Sequence, residues 1–95
     1  MHLRLEILLD SAHTEALIHH LRSLGFEQFV VERGIRAHGF ETAMRRIGYN
    51  DVLGTSRLFV YCDQSQFDEA KPSLIEFLDK CGGAAFSSHI EVLRH

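Results

Sequence analysis

Seven histidines and a cluster of arginines have the most obvious chemical reach in this sequence. Imidazoles at His2, His89 and His95 could together hold zinc, copper or nickel if the first and last strands lie side by side. No Cys-x-x-Cys or His-Glu-x-x-His spacing accompanies them, so surface or interface histidines are the simpler reading and no metal site is assigned. His19 and His20 are neighbours on a helix and point in different directions. The arginines say more. Arg33, Arg36, Arg45 and Arg46, set against Glu41 and Asp51, make residues 33–56 locally basic in a chain of formal charge −3. Guanidinium groups meet carboxylates and phosphates through a planar fork, so this stretch is the candidate for anion capture or protein docking.

Catalysis has little support. Ser87, Ser88 and His89 are consecutive, but alternation along a strand sends successive side chains to opposite faces. The sequence holds no nucleophile elbow, P-loop or isolated carboxylate pair, and its first strand passes directly from Asp10 into a helix, so the protein reads as a non-enzyme. Phe59 and Tyr61 sit two apart on a strand, as base-stacking aromatics do. The matching position on the first strand is Leu8 and the chain is acidic, so the pair reads as subunit-interface residues with no nucleic-acid partner.

The elements that must position these groups follow from periodicity. Leu3, Leu5, Ile7 and Leu9 alternate with His2, Arg4, Glu6 and Leu8, which predicts a half-buried strand. Asp10 and Ser11 are helix-capping types, Ala16, Leu17, Leu21 and Leu24 share one helical face, and Gly25 supplies the stop. Phe26–Glu32 and Arg57–Asp63 predict the second and third strands. Ser65 with Asp68 resembles a capping box. Phe67, Ala70, Leu74, Phe77, Leu78 and Cys81 form a second apolar stripe that Pro72 should kink or restart. Gly82 and Gly83 end it, and Phe86–Leu93 predicts the last strand. Two strand–helix–strand units with right-handed crossovers give a ferredoxin-like α+β fold, βαββαβ, with both helices on one face and strand order 4-1-3-2. Leu8, Phe59, Tyr61 and Leu93 would then face away from the helices, too much apolar area to leave wet. That face is expected to pack against other subunits.

A connection of some twenty residues between paired strands is far beyond the usual hairpin length of about two to five. This one carries Gly34, Gly39, Gly48 and Gly54, and within it Phe40, Ala43, Met44 and Ile47 recur at helical spacing beside Arg45 and Arg46. It reads as a loop that docks onto a partner.

The 95 residues, 45% hydrophobic and 24% charged, predict one domain over 1–95 with a single small core. Arg4 and Glu6 interrupt the N-terminal apolar stretch, so no signal peptide or membrane insertion is expected. Cys62 and Cys81 would lie at opposite ends of a helix roughly 20 Å long, too far for a bridge. A reduced, cytoplasmic setting is the expectation.

The passages FVVERGIRAHG and LGTSRLFVYC, with the closing HIEVLRH, resemble the PII-like superfamily, above all its short, divergent members. The resemblance implies a trimer of ferredoxin-like subunits with a long loop between the second and third strands. It also implies an adenine nucleotide or small anion in clefts between subunits, and a transporter or enzyme engaged by the loop. On that footing Gly34, Arg36, Gly39 and Arg57 are ligand candidates at the loop base, with Lys80 and Arg94 as further ones. Phe40, Arg45, Arg46 and Tyr49 are partner-binding candidates. The chain departs from the family pattern in its glycine spacing at the loop base, where Arg36 intervenes. Its second phosphate loop is shortened to Lys80, Gly82 and Gly83. The rival reading is an ACT-like or CutA-like sensor of small molecules or metals on the same fold.

Overall fold

A computed structural model describes residues 1–40 and 54–95. The alternation of Leu3, Leu5, Ile7 and Leu9 folds as β1, His2–Asp10. A 3-10 turn, Ser11–His13, leads into α1, Thr14–Ser23. β2 is Gln28–Ile35, β3 is Thr55–Asp63, α2 is Gln64–Cys81 and β4 is Ala84–Ile90. The four strands pair antiparallel in the order β2-β3-β1-β4. This is the expected ferredoxin-like α+β fold with the expected strand order.

Leu3, Leu5, Ile7 and Leu9 of β1 and Leu58, Val60 and Cys62 of β3 meet Leu17, Ile18 and Leu21 of α1 and Ala70 and Leu74 of α2 in one core. Both helices therefore cover the same face of the sheet. Ile18 takes the place expected for Ala16, which is exposed. α1 ends in a Schellman motif: the Gly25 N–H donates to Arg22 O and the Phe26 N–H to Leu21 O, each at 3.0 Å. Phe26 and Leu21, both buried, are the apolar pair that accompanies this motif. Phe26 is thus a helix-stop and core residue, and β2 starts two residues later than its aromatic character predicted.

Three further boundaries differ from expectation. β2 reaches Ile35 and β3 begins at Thr55, so the connection is 36–54 rather than 33–56. β4 spans Ala84–Ile90, not Phe86–Leu93: it begins directly after Gly82 and Gly83, and Leu93 lies beyond it. α2 runs unbroken through Pro72. Pro72 and Asp68 are both exposed, so the carbonyl deprived of its helical donor is open to solvent.

The α2 cap is Asp63, not the Ser65–Asp68 pair. Its Oδ1 accepts from the Gln66 N–H and from Ser65 Oγ, each at 2.8 Å, while Asp68 accepts from Gln64 Nε2. The Gln66 amide, then the Ser65 hydroxyl, hold the Asp63 carboxyl below its ordinary value of 3.8. A carboxyl depressed in the folded state adds stability that is present above its unfolded value and lost as pH falls through the folded one. Asp63→Ala should therefore lower the Tm at neutral pH, and the gap from wild type should close as pH falls below 3.8, read by thermal melts from pH 7 to 2.

Candidate functional site

The sheet face without helices carries Val30, Glu32, Arg57, Phe59, Tyr61, Arg4 and Phe86, as the pairing register fixes. Val30 is 51% exposed, Phe86 49% and Tyr61 37%, apolar surface on three strands that Arg4 and Glu6 of β1 interrupt. Charge is laid through it in order. Arg57 Nε donates to Glu32 Oε1 at 2.9 Å and Nη2 to Oε2 at 3.1 Å, a bidentate pair, with Glu6 4.0 Å from Nη1. The guanidinium groups of Arg4 and Arg57 stand 4.9 Å and 5.2 Å from the centre of the Phe59 ring. The Arg57 hydrogen bond holds the Glu32 carboxyl below its usual range, and Glu32 in turn raises Arg57. Arg57, a ligand candidate by sequence, is thus engaged with two carboxylates of its own subunit.

The base of the long connection is built by a bulge. Glu32 pairs with Arg57 and Ile35 with Thr55, so Arg33 and Gly34 together oppose Ser56. Gly34 takes φ +66°, the left-handed region that glycine enters without steric cost. A Cβ on Gly54 would stand 3.5 Å from Gly34 Cα, so the two feet of the connection meet backbone to backbone. Arg36 follows, exposed and without an ion-pair partner among the described residues. Phe40 packs edge-on against Phe86 of β4, with ring centres 6.1 Å apart. Residues 36–40, bent at His38 and Gly39, thus lead from the end of β2 toward β4 at the loop end of the sheet, where Leu8 is buried.

The α2–β4 connection arrives at the same end. A Cβ on Gly83 would fall 2.9 Å from Leu8 O, so Gly82 and Gly83 lie against the end of β1. Lys80, in the last turn of α2, is exposed and pairs with Glu76 at 3.2 Å. Gly34, Arg36, Gly39, Phe40, Lys80, Gly82 and Gly83 thus gather at one end of the subunit. Arg94 does not join them. With Tyr61, Gln28, Ile90, Val92 and Leu93 it lines an open groove of about 990 Å³ at the opposite end, roughly 27 Å away along β1. Arg45, Arg46 and Tyr49, and the helical turn drawn through Ala43, Met44 and Ile47, lie outside the described residues.

The histidine trio is not assembled. His2 pairs with Ile90, His95 reaches Gln28 on the far strand at 2.7 Å, and His89 lies opposite Leu3, facing away from His2. The His89 ring instead contacts Gln64 at 2.8 Å. Sequence reasoning passed over a buried hydroxyl cluster under the loop base, Ser11, Thr14 and Ser56. The signal was there: Ser56 falls on the core-facing period of Leu58, Val60 and Cys62, and Thr14 on that of Leu17, Ile18 and Leu21.

No protein-family model and no curated protein matches the sequence. Solved structures do. CPII from Thiomonas intermedia, bound to ADP, AMP and acetate, superposes at a TM-score of 0.77 with 18% identity, over 98% of this chain and 89% of that one. The same protein bound to ADP and bicarbonate gives 0.71 and 21%, over 98% and 89%. A PII-like protein from Thermus thermophilus gives 0.68 and 15%, over 95% and 87%. The chain has the fold of the PII-like proteins, as the resemblance in its sequence implied.

Proposed function

We propose that this protein is a PII-like regulator in which a small ligand, an adenine nucleotide with or without a small anion, acts on the 36–54 connection. One observation carries the reading. Two glycine-bearing connections, Gly34 to Gly39 and Gly82–Gly83, lie at one end of the fold with Arg36, which has no ion-pair partner among the described residues, and the fold is that of CPII, solved with ADP bound. Backbone amides freed by glycine, together with a guanidinium, form a phosphate or carboxylate cradle. Subunits associate as a trimer through the apolar sheet face. The distance between Arg94 and the loop base means that both reach one ligand only if they come from different subunits. The connection then presents Phe40, Arg45, Arg46 and Tyr49 to a protein partner, a transporter or an enzyme, and its state shifts only as far as the ligand distinguishes two states. The chain acts by binding rather than by catalysis.

Titration with ADP, in bicarbonate buffer and without it, tests this directly. Wild type should bind, and Arg36→Ala should bind at least about tenfold more weakly, the loss of one charge-assisted hydrogen bond. Absence of ADP binding by wild type, or equal affinity in the variant, would overturn the assignment of the site.

A further inference from the structure

The 3-10 turn and the first residues of α1 touch both feet of the long connection. On the C-terminal side the Ser11 N–H donates to Gly54 O at 3.0 Å, and Ser11 Oγ lies 2.9 Å from Ser56 Oγ. Thr14 Oγ1 lies 2.7 Å from Ser56 Oγ and 2.9 Å from the Ser11 carbonyl oxygen. Ser56 and Thr14 have no exposed surface. On the N-terminal side Glu15 pairs with Arg33, the residue before Gly34.

Proton counting orders the buried contacts. Each hydroxyl has one hydrogen, and the Ser11 carbonyl can only accept. Thr14 Oγ1 is the donor both to Ser56 Oγ and to the Ser11 carbonyl oxygen, so its one hydrogen is shared between them, while Ser11 and Ser56 share a further hydroxyl contact. Ser56 of the loop foot is thus held by two side chains, accepting from Thr14 Oγ1 and lying 2.9 Å from Ser11 Oγ. In this dry setting a missing member leaves its neighbours unsatisfied. The Glu15–Arg33 pair is more than half exposed on both sides, and such pairs hold weakly. The two feet are therefore held unequally.

We infer that Ser11, Thr14 and Ser56 are positioning residues that pin the C-terminal foot of the 36–54 connection to the turn that opens α1, leaving the chain from Arg36 onward, past the last paired residue Ile35, as the adjustable side. This deepens the ligand-site reading, since it names which side of the cradle is fixed and which can answer a ligand. Hydrogen exchange on the ligand-free protein tests it without needing ADP. Thr14→Val, nearly isosteric, should speed exchange of the Thr55–Arg57 amides roughly tenfold. Amides in the β1–β4 ladder should be unchanged, and Thr14→Ser should restore wild-type protection. Ser11→Ala, at a less buried position, should give the same local pattern if Thr14→Val does not fold. Loss of protection spread evenly over the sheet, or no change at Thr55–Arg57, would overturn the inference. If wild type binds no ADP, the ligand reading fails while the exchange result still decides the clamp.

Discussion

Replacing Val30 by Glu should disperse the proposed assembly into monomers and leave each subunit folded. Val30 is 51% exposed and sits opposite Phe59 on the face away from the helices. In an isolated subunit the new carboxylate stays hydrated, and exposed substitutions of this kind move stability by only about 0.5 kcal/mol. In an assembly built on this face the same carboxylate enters a surface formed by Phe59, Tyr61 and Phe86. Of the two guanidinium groups stacked on Phe59, Arg57 on the facing strand is already committed to Glu32 and Glu6, and Arg4 belongs to β1, one strand further from Val30. An uncompensated buried charge costs several kcal/mol, and symmetry repeats it in every subunit. Native mass spectrometry and light scattering give the readout. Ile75→Glu is the control: Ile75 is 50% exposed on the helical side, and its charge should leave the oligomer intact. A Val30→Glu protein with the mass of the wild-type assembly would rule out this face as the interface, and with it a ligand cleft made between subunits here.

The parts of the fold legible in sequence are those set by period. The strict alternation of β1 identified both the core and the open face, and the stripe Phe67, Ala70, Leu74, Phe77, Leu78 marked the buried side of α2. The boundaries were less legible because backbone contacts decide them. Phe26 looks like a strand residue by type, yet the Schellman turn takes its N–H for Leu21 O before β2 can begin. Gly34 looks like a loop residue, yet it is the bulge that lets β2 continue to Ile35. Tolerance of Pro72 depends on which side of α2 faces solvent, which the residue type alone does not show.

The candidate site was legible by residue type and not by partner. Gly34, Arg36, Gly39 and Lys80 were picked out as glycine and cation, and the structure brings them to one end. Arg57 was picked out for the same reason, but its role turns on Glu32 lying directly opposite it in register, a long-range fact. Arg94, a further ligand candidate by type, lies at the opposite end of the sheet from the loop base, which residue type does not show. The hydroxyl cluster shows in the sequence only as polar residues on a core-facing period. Ser56 and Thr14 are polar residues at core positions, a combination that is expensive unless every hydrogen bond is made.

Gly83→Ala should be the most damaging single-methyl change in the subunit. Glycine there has φ +138°, and an added Cβ would meet Leu8 O at 2.9 Å, Leu78 Cδ2 at 3.1 Å and Leu9 Cβ at 3.3 Å. Leu78 could turn aside, but Leu8 belongs to a strand paired on both sides, with Arg57 and with Ala84. Its carbonyl cannot retreat without opening the sheet. Backbone strain of about 1–3 kcal/mol adds to an overpacking cost of similar size. A loss of about 3 kcal/mol lowers the Tm by roughly 12–24 °C for a domain this small. Gly34→Ala separates the two costs. Its φ is also positive, but an added Cβ meets nothing within 4 Å, so only the backbone cost of about 1–2 kcal/mol applies. Urea denaturation of both variants should therefore rank Gly83→Ala well below Gly34→Ala. Equal stabilities would mean that the α2–β4 connection is not pressed against β1. The second glycine connection would then stand clear of the first, and the cradle proposed for the ligand would lose one of its two walls.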